Sequence, residues 1–374
     1  MSRLGLDLLG GALDRASLTQ REGAVFPPPR EMLSARDFGA LGDGSTDDTQ
    51  ALQAAINGAI DAGRPLYLPA GTYRISSPLR VGAGKRGVRW FGDGPFSTVI
   101  QNTSTTGQNA VEIFGMPGSE TTWCTFYGIG ITGQGTGGKR KDGDGWHVAY
   151  AGRIEWQDCR VSQVGGDGWH YENSWSPSLL RCNAEHCGGY GAYFKGGPKH
   201  NLNGVLLDGG AYSHNDSGGV FLDAAIHGDT ISGVLRNVGF SNNRPTNLTV
   251  LNNSVILLGC FLENADSHQL QLGSTSGKRT VRGAEIIGCY FLGDHGAARL
   301  VRLENTRGVR FAACNFKTAR TAIEADPSSE GILIENCRKS GDVANLVSYG
   351  DARSAVTTRP LYLASRRIVE LTVD

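Results

Sequence analysis

Apolar and polar residues alternate in short bursts along most of this chain, and the bursts return at near-regular intervals. Ile154, Trp156, Cys159 and Val161 take the same places in one burst as Val255, Leu257, Cys260 and Leu262 in another. Ala284, Ile286, Cys289 and Phe291 repeat them in a third. Period-2 alternation between turn signals predicts strands with one buried face. Six cysteines mark the bursts, at Cys159, Cys182, Cys260, Cys289, Cys314 and Cys337, separated by 23, 78, 29, 25 and 23 residues. The gap of 78 reads as three coils, with LDGGAY near Gly210 and RNVGFS near Gly239 on the missing rungs. Such a spacing leaves little room for a helix in each repeat, and a period of 20–50 residues marks a solenoid. The expected architecture is all-β, with parallel coils stacked about 4.8 Å apart. The cysteines form an inward ladder of small buried hydrophobes rather than disulfides.

A second ladder precedes the cysteines in each coil. DGWHVAY (Asp144–Tyr150) recurs as DGWHYEN (Asp167–Asn173), then as YGAYFKG from Tyr190 and GGVFLDA from Gly218. Trp146, Trp169, Ala192 and Val220 form one inward row, and Val148, Tyr171, Phe194 and Leu222 the next. Strand side chains alternate between faces. His147, His170, Tyr193 and Phe221 therefore form one outward column, and Ala149, Glu172, Lys195 and Asp223 the adjacent one.

Nearer the start, ARDFGALGDGSTDDTQALQAAINGA (Ala35–Ala59), LYLPAGTYRIS (Leu66–Ser76) and FGDGPFSTVI (Phe91–Ile100) follow one another. This stretch resembles the opening of the pectate-lyase-like superfamily, which includes polygalacturonase-like enzymes and many bacteriophage tailspikes. The resemblance implies a right-handed parallel β-helix with an N-terminal capping helix, a polysaccharide substrate and, in the tailspikes, a homotrimer. It is dense over Ala35–Ile100 and only architectural beyond. It assigns no catalytic residue: the polygalacturonase pattern of paired aspartates, Gly-His-Gly and Arg-x-Lys is missing, and KDGDGWH and GGDGWH echo only its acidic part. The residues agree with a capping helix. Asp47 or Asp48 is placed to cap it, and Ala51, Leu52, Ala55, Ile56 and Ile60 give it one apolar face.

Three regions follow. Residues 1–33 are a leader, anchor or oligomer contact, weakly amphipathic over Leu4–Leu18 and stiffened by Pro27–Pro29. Residues 34–338 are the β-helix, and residues 339–374 a cap or subunit-contact tail. Thirty-six basic and 36 acidic residues balance, which leaves no electrostatic footprint for nucleic acid or an anionic membrane. No apolar run approaches a membrane span, and Met1–Gly11 lacks the pattern of a secretory signal. The chain is expected in the cytoplasm or on a virion tail.

The outward columns hold the candidate chemistry. His170, Glu172, Tyr193, Lys195 and Asp223 are the expected catalytic residues, and His147, Asp144, Asp167, His214 and Asp216 the expected substrate contacts. Hydrolysis would pair Glu172 with Asp223, two rungs and about 9.6 Å apart before side-chain reach, a gap that suits inversion. β-Elimination would use Lys195 to neutralise a uronate carboxylate and His170 or Tyr193 as base or acid. The His–Tyr–Lys grouping favours elimination. No metal or other cofactor is expected, because His147 and His170 lack a third ligand at tight spacing and the acidic loop Lys139–Gly145 lacks further calcium ligands. The leading reading is a tailspike-type depolymerase of bacterial surface or capsular polysaccharide. The alternatives are a non-catalytic glycan-binding or structural tail protein, and an intracellular sugar epimerase.

Overall fold

The computed structural model describes residues 31–374 except 136–140, 198–201, 224–231, 252–253, 277–279, 295–296, 341, 350–355, 360, 363–367 and 370–374. Leu33–Asp374 forms one compact unit. The leader expected at residues 1–33 falls almost wholly outside the described residues.

Short alternating strands wind into coils, and each coil lays one strand on each of three parallel sheets. Among the described residues these sheets have 13, 12 and 11 strands. The chain is a right-handed parallel β-helix, as expected. Successive rungs keep strict register. Trp156 lies on Leu179, Leu179 on Leu207, and Leu207 on Leu235. The interior is one continuous cluster in which Trp90, Trp146, Trp156 and Trp169 are all but fully buried. Stacking continues past residue 338: Asn345–Tyr349 pairs with the Thr321–Ala325 strand, and Val356–Arg359 with Ile332–Glu335.

All eight cysteines are buried and free. Each follows a residue in the left-handed region: Trp123, Asp158, Arg181, His186, Gly259, Gly288, Ala313 and Asn336, with φ between 50° and 63°. One such residue turns the chain from one sheet to the next, and the side chain after it points into the corner. Space there is tight, and a thiol has a second use. Cys182 Sγ lies 3.5 Å from the Leu180 carbonyl of its own corner and 3.4 Å from the Trp156 carbonyl one rung away. Burial pushes the Cys124 thiol up to about 12. A polar thiol reagent is expected to find no reactive group in the folded chain and eight after denaturation. Early reaction, or a mass deficit from disulfides, would contradict this packing.

The helix Thr49–Ala62 covers one end, burying Leu52, Ala55, Ile56 and Ala59. The two aspartates ahead of it divide the work expected of either. Asp47 Oδ1 accepts the Thr49 amide at 3.0 Å. Asp48 holds the N-cap place but makes no side-chain bond to the helix. Its buried carboxylate instead accepts the amides of Leu41 at 2.6 Å and Gly42 at 2.9 Å, tying the entry loop to the helix start. Hydrogen bonds to a charged group contribute about 1.5–3 kcal/mol. Asp48→Ala is expected to cost at least that much in denaturant unfolding, and an unchanged midpoint would remove the role.

Candidate active site

The motif Asp-Gly-Trp-His is explained residue by residue. The aspartate sits just ahead of the strand and spends one oxygen on the next rung: Asp144 Oδ1 accepts the Asp167 amide at 2.7 Å, and Asp167 Oδ1 accepts the Tyr190 amide at 2.6 Å. The glycine passes where the rungs nearly touch. A Cβ on Gly168 would meet the Gly191 carbonyl at 2.4 Å. The tryptophan goes inside, and the histidine faces out.

The strands Trp146–Ala149, Trp169–Glu172, Tyr190–Lys195 and Gly218–Asp223 stack in the expected register. His147 pairs with His170, His170 with Tyr193, and Tyr193 with Phe221. In the adjacent column Ala149 pairs with Glu172, Glu172 with Lys195, and Lys195 with Asp223. The imidazoles of His147 and His170 stack with centroids 4.6 Å apart, and the Tyr193 ring meets His170 edge-on at 5.0 Å. Tyr190 and Phe221 extend the ring surface, at 5.4 Å from Tyr193 each.

The carboxylate oxygens left free by the backbone ladder turn to the imidazoles. Asp144 Oδ2 lies 2.8 Å from His147 Nδ1 and 3.7 Å from His170 Nδ1, and Asp167 Oδ2 lies 2.9 Å from His170 Nδ1. A carboxylate acceptor assigns the proton to Nδ1 of a neutral ring, which leaves the Nε2 lone pair available. Burial of His170 disfavours its charged form, but the Asp167 hydrogen bond and the charges of Asp144, Asp167 and Glu172 outweigh it, and its pKa is raised. Burial, reinforced by the Asp144 charge, also raises Asp167 against the pull of His170. Burial and then the Asp223 charge push the Tyr193 phenol up to about 12. Tyr193 is therefore a protonated donor at neutral pH, and His170 is the group with an accessible basic form.

Glu172 is half-buried, Lys195 exposed and Asp223 buried. Among the described residues Lys195 makes no ion pair. Two expected contacts stand apart from the columns. His214 occupies a corner with φ 55°, where it stacks on His186 at 4.8 Å. Asp216 lies in the exposed turn ahead of Gly218.

Sequence reasoning missed the rung before His147. Val111–Phe114 pairs with Trp146–Ala149 and puts Glu112 in register with His147, with Arg80 next in the column. Glu112 bonds Arg80 Nε at 2.8 Å and Asn109 Nδ2 at 3.1 Å. Asn109 Oδ1 accepts the Asp144 amide at 2.8 Å, the same part that Asp144 plays toward Asp167. NAVEIF (Asn109–Phe114) matches DGWHVA in pattern, but the repeat is 35 residues rather than 23.

Stacked coils of this kind define the class of parallel β-helix proteins. Within it, residues 32–137 match the family described as rhamnogalacturonase A/epimerase, pectate lyase-like. Mannuronan C5-epimerase AlgE1 of Azotobacter vinelandii is 49% identical over 82 residues, 21% of this chain and 6% of that protein. A glucan 1,3-beta-glucosidase of Cochliobolus carbonum is 38% identical over 78 residues, 21% of this chain and 9% of its own. The chain thus spans less than a tenth of either relative. PfbA, a surface adhesin of Streptococcus pneumoniae, shares the fold with a TM-score of 0.55 at 13% identity, over 89% of this chain and 91% of that one. The family match ends before Asp144, so His147, His170, Tyr193 and Lys195 lie beyond it.

Proposed function

We propose that this chain is a polysaccharide depolymerase that cleaves a uronate-bearing polymer by β-elimination. The observation that carries this is one face presenting, on adjacent rungs, a carboxylate-anchored imidazole, a protonated phenol and an exposed cation. Lys195 neutralises the uronate carboxylate and so acidifies the C5 hydrogen. His170 Nε2 takes that proton, with Asp167 orienting the ring from Nδ1. The C4–C5 double bond forms as the C4–O4 bond breaks, and Tyr193 gives its proton to the departing oxygen. Tyr190 and Phe221 offer apolar ring faces to the sugars beside the scissile bond. The names of the curated relatives, an epimerase and a glucosidase, support a polysaccharide substrate.

Elimination creates an absorbing enoate, so rising ultraviolet absorbance on a panel of acidic capsular polysaccharides is the expected result. New reducing ends without that absorbance would overturn it in favour of hydrolysis. The match to AlgE1 favours a second reading, epimerisation, which begins with the same proton removal but returns a proton to C5 and keeps the C4–O4 bond. Unchanged chain length with inverted uronates would select it.

The neutral form of His170 is the active one. Its raised pKa puts the rise of activity with pH above the ordinary imidazole value of about 6.5, and Tyr193 imposes no falling limb until about pH 12. Asp167→Asn removes a negative charge and leaves one acceptor oxygen for both the Tyr190 amide and His170 Nδ1, so the rising limb is expected to move to lower pH while the maximal rate falls. An unmoved limb would take His170 out of the mechanism.

We also read the chain as the β-helix of a tailspike-type trimer on a virion tail, with residues 1–33 as its anchor and 339–374 as a subunit contact. A sedimentation mass of three chains is expected, and a monomer would contradict it.

A further inference from the structure

The two histidines that lacked a third ligand in the sequence acquire one in the fold. Asp144 Oδ2 lies 2.8 Å from His147 Nδ1 and 3.7 Å from His170 Nδ1, and one donor atom from each of the three residues falls within 4.8 Å of the others. Asp167 Oδ2 stands 2.9 Å from the same His170 nitrogen. The four side chains are 13–20% exposed, so the cluster is sheltered yet open to solvent on one side.

We propose that Asp144, His147 and His170 bind one divalent metal ion of the Zn2+ type, with the fourth position left to water. Four features argue for this. A tetrahedral ion with bonds near 2.0–2.2 Å sets its ligand atoms about 3.3–3.6 Å apart, and the Asp144 oxygen lies 2.8 and 3.7 Å from the two imidazole nitrogens, on either side of that range. The Asp144 carboxylate and the neighbouring Asp167 carboxylate together balance the charge of a divalent ion held on two neutral imidazoles. Each carboxylate is held from behind by a backbone amide on its other oxygen, the Asp167 amide for Asp144 and the Tyr190 amide for Asp167. Such outer bonds aim ligands before the ion arrives. The near-parallel rings, 15° apart, present both Nδ1 atoms to the same carboxylate oxygen. Imidazole nitrogens select zinc and its transition-metal neighbours over calcium or magnesium, which take oxygen ligands.

The ion takes the place of the protons now shared between Nδ1 and the carboxylates. Metallation at Nδ1 leaves the proton of the neutral ring on Nε2. The ion would therefore act as an inhibitor of proton abstraction by His170, a consequence that rests on the elimination reading, whereas the site itself does not.

The test is calorimetric titration of the metal-free full chain with Zn2+, without any polysaccharide. One ion per chain is expected, with no competition from excess Ca2+. His147→Ala and Asp144→Asn are each expected to weaken binding at least 10-fold, with the far-ultraviolet circular dichroism unchanged. Lys195→Ala, outside the donor set, is expected to bind as the parent does. Co2+ in the same titration is expected to give the intense visible bands of a four-coordinate N/O site, bands lost in His147→Ala. No stoichiometric Zn2+ uptake, or uptake that survives the His147→Ala and His170→Ala double replacement, overturns the site. Neither outcome depends on whether the chain cleaves a polymer.

Discussion

Replacing His170 with alanine is expected to slow polymer cleavage on the order of 10²–10⁴-fold, the usual contribution of a positioned general base, while leaving the fold intact. The side chain lies on the outer face, anchored to Asp167 at 2.9 Å and stacked on His147. Its removal opens no cavity in the core, so the melting temperature is expected to stay close to that of the parent chain. His147 provides an internal control. It has the same ring, the same kind of carboxylate partner at 2.8 Å and the neighbouring rung, but it lies two rungs from Tyr193 and diagonal to Glu172 rather than to Lys195. His147→Ala is therefore expected to raise KM more than it lowers kcat. Equal losses in kcat at both positions would mean that proton transfer is not confined to the His170 rung. Full activity in His170→Ala would remove this face from the chemistry.

The second large effect is on stability. Trp156 is fully buried and packs against Phe126 at 5.8 Å, Trp146 at 5.9 Å and Tyr171 at 6.3 Å, which makes it the hinge of the aromatic stack behind the site. Trp156→Ala is expected to cost about 3–5 kcal/mol, since the cavity adds to the lost transfer energy. Each coil of a solenoid leans on its neighbours, so the loss is expected to spread to amide exchange in the adjacent rungs rather than remain at one residue. Trp156→Phe is expected to cost much less. It keeps a large ring, and the indole Nε1 that it removes has no hydrogen-bond partner among the described residues. A fall in melting temperature as large for phenylalanine as for alanine would contradict this packing.

The fold was legible because a β-helix repeats its physics on every coil. The cysteine spacing and the doubled DGWH gave the rung length, and strand alternation then placed His147 and His170 outside and Trp146 and Trp169 inside. What stayed hidden depended on corners and on spacing. Cys124 and Cys187 lie at other corners than the six ladder cysteines but follow a residue of the same left-handed conformation, and conformation, not residue type, links them: Trp123, His186 and Ala313 all take it without being glycine. Glu112 and Arg80 extend the histidine column, yet the longer interval between NAVEIF and DGWHVA broke the period. Asp144 was expected only as a substrate contact. Only the stacking of two turns shows that its second carboxylate oxygen reaches both imidazoles. Asp48 shows the reverse case, a residue at the helix cap whose carboxylate is used by the loop before it. His214 met His186, a neighbour on its own corner, because corners stack on corners as strands stack on strands.

The central claim is that the His170–Tyr193–Lys195 face breaks a polymer without water. Cleavage of a susceptible capsular polysaccharide in 18O-enriched water, followed by mass spectrometry of the products, tests it directly. The account predicts unsaturated fragments that carry no 18O from the cleavage step. Saturated fragments that take up one solvent oxygen per cleaved bond would contradict it.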